Sequence, residues 1–127
     1  MALQEGKFWN VQEVLREEPA SAGAQGLHDT WLARSEHATV KVVQGQPPQL
    51  PGPDLLHVHK EHDEIAYVVE ADTDFRLGEF TKRLKPGDVI FIPAGVVHGP
   101  TGGERVVVVS IYAPFFDPEH PDQTHVS

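Results

Sequence analysis

The chain has 127 residues, with 10 basic and 19 acidic side chains, a formal charge of −9 and no cysteine. That length suits one domain with a continuous core, and the charge repels phosphate backbones and anionic membrane surfaces. Without cysteine there are no disulfides, thiolate zinc sites, cysteine nucleophiles or iron–sulfur ligands. No apolar run approaches the roughly 20 residues that span a bilayer, and Met1 to Gly6 shows no basic region leading into an apolar stretch. The expectation is one cytoplasmic domain over residues 1–127, with neither nucleic acid nor membrane as partner.

Asn10 followed by Glu13, with Val11, Val14 and Leu15 at helical spacing and Pro19 beyond, predicts a short capped helix that packs rather than reacts. Ala20 to Gly26 is small and glycine-containing and reads as a loop. Between Trp31 and Tyr112 nearly everything reads as short strands: His37 to Val43, Leu55 to His59, Glu64 to Val69, Phe75 to Gly78, Phe80 to Leu84, Val89 to Ile92 and Arg105 to Tyr112. Pro47-Pro48 and Pro51-Gly52-Pro53 cannot continue a ladder, and Lys85-Pro86-Gly87-Asp88 has the order of a tight turn. The fold class is therefore all-β, a sandwich, jelly roll or barrel with one N-terminal helix and a core over about residues 28–113.

Val106 to Val109 does not alternate with polar residues, which predicts cover on both faces, the outer one by a second subunit or by the N-terminal segment. After Ala113 the stretch from Pro114 to Asp122 is too proline-rich for a strand. Residues 114–127 read as an extended tail tethered by Phe115 and Phe116. Trp31 and Tyr112 read as core.

The informative region is His57, His59 and His62 beside Glu61, Asp63 and Glu64. Successive strand residues point to opposite faces, so His57 and His59 share one face. Imidazole is the commonest side-chain metal ligand, and Glu64, opening the next strand, can return a carboxylate beside the two rings. A solvated polar turn accounts for the same residues equally well. His98 tips the balance, because a strand meeting Pro93 and Gly95 delivers a further imidazole.

These residues resemble the two motifs of the cupin superfamily. Gly52, His57, His59 and Glu64 match the first, and Gly87, Pro93, Gly95 and His98 the second. Two departures stand at Ala71, where the first motif closes on Gly, and at Gly102, where the second closes on Asn. The resemblance implies a small jelly-roll barrel holding one divalent transition-metal ion with His57, His59, Glu64 and His98. Asp63 is the rival carboxylate, and Glu61 and His62 are rim groups. Three imidazoles and a carboxylate suit iron, manganese, nickel, cobalt, copper or zinc alike.

The resemblance also implies a small-molecule ligand, a homodimer, and dioxygenase-type chemistry on a small oxygenated organic molecule. Isomerase, decarboxylase or cyclase activity, or sugar or small-molecule binding without chemistry, are alternatives on the same scaffold. Counting by twos from Glu64 puts Ala66 and Val68 inward. Ala66 there either leaves room for a planar ligand or packs on a larger neighbour such as Phe91. Candidates for a general acid or base are His62, Glu61, Arg76, Arg105 and Tyr67.

Overall fold

The structure is a computed structural model that describes residues 5–18, 26–47 and 56–126. Gly52, Leu55, Pro19, the prolines at 48, 51 and 53 and nearly all of the Ala20 to Gly26 loop lie outside the described residues.

Helix α1 (Val11–Glu17) starts where Asn10 Oδ1 accepts the Glu13 N–H at 3.1 Å. Such a cap stabilises a helix by about 1 kcal/mol. Its apolar side buries Val14 against Val42 and Val107, with Trp9, Val11 and Leu15 around them.

Ten strands follow: β1 (Gly26–Arg34), β2 (Thr39–Gln46), β3 (His57–Val58), β4 (Asp63–Asp72), β5 (Asp74–Leu77), β6 (Phe80–Arg83), β7 (Val89–Ile92), β8 (His98–Pro100), β9 (Arg105–Ala113) and β10 (Thr124–His125). They form two antiparallel sheets, ordered β1-β2-β9-β4-β7 and β10-β3-β8-β5-β6. Among the described residues the ladders end at the edges of these two sheets, so the all-β expectation holds without one continuous closed ladder.

Several elements differ from expectation. β1 was not foreseen, because Gly-Leu-His-Asp-Thr-Trp-Leu-Ala-Arg lacks apolar alternation; it survives as an edge strand with many exposed residues. β2 runs on to Gln46 through Gly45, whose φ is +143° and where a Cβ would stand 2.3 Å from the Gly26 carbonyl. Only glycine lets β1 and β2 approach so closely there. β4 extends past Val69, and Ala71 lies within it, paired with Val106. The first motif's closing position is thus a ladder position here and not a turn.

Burial alternates as expected along β4: Glu64, Ala66 and Val68 are buried while Asp63, Ile65 and Tyr67 are exposed. The same period in β7 turns Ile90 and Ile92 inward and Val89 and Phe91 outward. Phe91 therefore does not pack on Ala66, which pairs with Ile90 and Ser110 instead. Val106 and Val108 face the space between the sheets, while Val107 and Val109 lie under the helix. The N-terminal segment covers Val107 and Val109 on that outer face.

Candidate metal centre

His57 and His98 are directly paired across β3 and β8, and Glu64 opens the inward row of β4 in the facing sheet. One ring nitrogen from each of His57, His59 and His98 lies within 4.8 Å of the others. Glu64 Oε1 lies 3.1 Å from His59 Nε2 and 3.4 Å from His98 Nε2. The four residues expected to form the site thus come from both sheets to one place, with His59 1 % and His98 2 % exposed.

The hydrogen bonds at the back of the rings fix where their protons are. His59 Nδ1 donates to the Asp122 carbonyl at 2.7 Å, and His98 Nδ1 donates to the Val96 carbonyl at 2.9 Å. A carbonyl only accepts, so each Nδ1 carries a hydrogen, and a ring with that one hydrogen presents an Nε2 lone pair to Glu64. Two lone pairs then face a carboxylate, and His98 Nε2 is a buried atom without a hydrogen-bond partner. Protonating both rings would bury two imidazolium ions on one carboxylate, which is costly. One divalent cation satisfies every group, and a backbone carbonyl behind a ligating imidazole is the usual support for a metal-bound histidine. The donor set fits the ion that the sequence motifs imply.

Glu64 Oε2 accepts from Ser110 Oγ at 2.9 Å. In the ion-free protein burial alone would raise the Glu64 carboxyl, but His59 and His98, once an Nε2–H on either ring faces Oε1, outweigh it by hydrogen bonding and charge and hold it well below its usual 4.5. A depressed carboxyl contributes stability that is present above the usual value and is lost as pH falls towards the folded one. Chelator-treated protein is therefore expected to lose stability below about pH 4.5, and Glu64→Gln to remove that portion of the loss. Denaturant unfolding of both proteins at a series of pH values checks this; superimposable profiles would contradict it.

The other candidates stand elsewhere. Asp63 is exposed and accepts from the Ala94 N–H, which removes it as the rival ligand. Arg76 bonds the Gly78 carbonyl, Arg105 pairs with Glu70, and Tyr67 is half-exposed on the outer face. Glu61 is exposed and contributes its backbone N–H to Asp122. None of these lines the cavity beside the histidines. A second group of possible ligands, Asp117, Glu119 and His120, is largely exposed and bonded within itself.

Sequence reasoning missed the tail's part in the site. Asp122 accepts the N–H groups of Lys60 and Glu61 and the Nδ1–H of His62, while His62 Nε2 faces the Phe115 carbonyl at 2.8 Å. Burial opposes it, but these donors together hold the Asp122 carboxyl below its usual value. β10 then pairs with β3, setting His125 opposite His57. Phe116 stacks on Tyr112 and Trp31 and meets His59 and His62 edge-on. The tether is thus Phe116 and the Phe115 carbonyl, and the tail holds the loop that carries the histidines.

A cavity of about 280 Å³ opens between the sheets, lined by His57, Glu64 and His98 at one side and by Ala66, Ile90 and Val108 along a wall. Ala66 faces it, as the period-two count required. Tyr112 also lines it, and its phenol is pushed well above the usual 10, by burial first and then by the charges of Glu64 and Asp29, so it stays protonated.

Residues 42–112 match the cupin domain model. The chain belongs to the cupin family. The match runs from β2 to β9 and contains all four residues of the cluster. A 65-residue stretch, 50 % of this cupin, is 37 % identical to an uncharacterized protein of Aquifex aeolicus (strain VF5), and covers 54 % of it, so the alignment spans about half of that relative's length.

Among solved structures, this cupin is similar to an uncharacterized conserved protein with a double-stranded beta-helix domain from Klebsiella pneumoniae subsp. pneumoniae MGH 78578. The TM-score is 0.68 at 25 % identity, covering 87 % of this chain and 92 % of that one. It is also similar to KdgF from Halomonas sp., with TM-score 0.65 at 24 % identity, covering 83 % and 95 %. Likeness at this level establishes the fold.

Proposed function

We propose that this cupin, a small jelly roll, holds one divalent transition-metal ion with His57, His59, Glu64 and His98 and acts as a metalloenzyme on a small oxygenated organic molecule, by dioxygenase-type chemistry. The observation that carries the reading is the convergence of two Nε2 lone pairs and a buried carboxylate on one point, with His98 Nε2 otherwise without a partner. Iron, manganese, nickel, cobalt, copper and zinc all suit three imidazoles and a carboxylate. Bound there, the ion supplies Lewis acidity and, when redox-active, dioxygen chemistry.

The chain's own residues supply the rest. Ser110 orients Glu64, the Asp122 and Val96 carbonyls hold the tautomers of His59 and His98, and the apolar wall from Ala66 to Val108 keeps water from a bound ligand. Tyr112, neutral and set beside Glu64, presents its phenol O–H to the cavity as a hydrogen-bond donor. The test is turnover of catechols, flavonols and diketones under oxygen by stripped protein and by protein reloaded with each metal. Activity that appears only with a redox-active ion supports the reading. Metal-replete protein inert across the panel contradicts it.

A second copy of the chain is the partner expected on an exposed patch of β4 and β7, apart from the face that the helix covers. Ile65 and Tyr67 pair with Phe91 and Val89 across β4 and β7, and all four are exposed beyond the reach of the helix. An apolar patch of this kind on a chain of charge −9 favours a two-fold contact in which the same patch meets itself. Sedimentation is expected to give a dimer mass that Phe91→Asp converts to monomer with the metal content unchanged; a monomeric wild type at about 50 μM would remove this assembly.

A further inference from the structure

One cluster in the cavity has no part in the metal centre. Lys41 lies on β2, opposite Trp31 on β1 and Ser110 on β9, and its side chain points into the space between the sheets at only 9 % exposure. Its ammonium sits 5.0 Å from the centroid of the Trp31 ring and 5.2 Å from that of Tyr112. Asp29 Oδ2 accepts from it at 3.2 Å, and among the described residues that carboxylate is its one hydrogen-bond partner. An ammonium has three N–H groups, and burying it is expensive unless they are used. Asp29 takes one, the rings give partial compensation, and the remainder is available to whatever fills the cavity.

We infer that Lys41 is a seat for the anionic group of the cavity's ligand, and that this ligand is a small, largely apolar monoanion such as an aromatic carboxylate. The inference rests on the metal reading above for its charge count. With a divalent ion in place, the negative charges of Glu64 and Asp29 leave one net positive charge when Lys41 is included, and a monoanion neutralises it. Tyr112 spans the distance between the two anchors, its ring 5.1 Å from that of His59 on one side and under the Lys41 ammonium on the other. The walls between them are Ala66, Phe75, Ile90, Val106 and Val108, which suit a hydrocarbon body. A volume of about 280 Å³ lies just below the roughly 300–1,000 Å³ of drug-sized sites, which limits the ligand to one small ring or a short chain.

The experiment compares 3,4-dihydroxybenzoate with 3,4-dihydroxybenzamide, which share the chelating diol and differ in charge. Calorimetric titration of metal-loaded protein is expected to show the acid binding at least ~10-fold tighter than the amide, as one charge-assisted hydrogen bond allows. Lys41→Met is expected to abolish that preference while leaving metal content and amide affinity unchanged. Asp29→Asn, which removes the competing carboxylate, is expected to increase the preference. Lys41→Arg, which keeps the charge, is expected to retain part of it and serves if Lys41→Met does not fold.

An ion pair that only ties β1 to β2 predicts something else: lower melting temperatures in Lys41→Met and Asp29→Asn with the acid-to-amide ratio unmoved. That result, or a wild type without preference, overturns the inference. Elemental analysis of the same samples separates it from the metal reading. Should the wild type hold no ion, benzoate and benzamide titrated into the same proteins report on Lys41 alone, and a Lys41-dependent preference for benzoate sustains the seat while the metal reading falls.

Discussion

His98→Ala is expected to weaken binding of a divalent transition metal by at least ~100-fold, more than the ~10–100-fold that follows loss of a group behind a ligand. The reason is local: His98 Nε2 is buried, lacks a hydrogen-bond partner and lies 3.4 Å from Glu64 Oε1, so its lone pair has no other employment. Removing the ring leaves His57, His59 and Glu64 around a hole that admits water, and a three-donor site exchanges metal far faster. The fold should persist, because β8 is three residues long and its ladder bonds to β3 and β5 are backbone bonds. Competition against a chelator of known affinity measures the loss, and circular dichroism reports the fold. Affinity within tenfold of wild type would move the ion away from His98.

Phe116→Ala is expected to lower stability by roughly 3–5 kcal/mol, the usual cost of emptying a buried aromatic position. Phe116 is 2 % exposed and stacked at 4.3 Å on Tyr112, and its backbone N–H donates to Thr39 Oγ1 at 2.9 Å. Its loss also frees the tail that brings Asp122 to the loop at Lys60 and Glu61 and to the back of His59. Metal affinity should therefore fall together with the denaturant midpoint, whereas Phe116→Leu keeps most of both. A destabilisation under about 1 kcal/mol would mean that the tail is not anchored by this ring.

The legibility of the site follows from how local its parts are. His57 and His59 are two apart and Glu64 begins an alternating strand, so one period of two places three donors. His98 needs only the Pro93 and Gly95 turn before it. The helix was legible for the same reason, in Asn10 and the spacing of Val11, Val14 and Leu15.

What escaped is non-local. Asp122 reaches residues about sixty positions away, and no periodicity within Pro114 to Asp122 announces it. β1 escaped because an edge strand can be polar on both faces. Lys41 carried a signal that was passed over: a single charge flanked by Val40, Val42 and Val43 points either to solvent or to a site. The place of Phe91 followed from the period already used for β4, since a count of two from Ile90 or Ile92 leaves it outside.

Anomalous diffraction at the absorption edge of the metal found in protein purified without added ions tests the central claim most directly. The account predicts one peak per chain, about 2.0–2.2 Å from nitrogens of His57, His59 and His98 and an oxygen of Glu64. A peak at Asp117, Glu119 and His120 instead, or none between the histidines in protein whose Nε2 atoms are bonded to water or to each other, would contradict it.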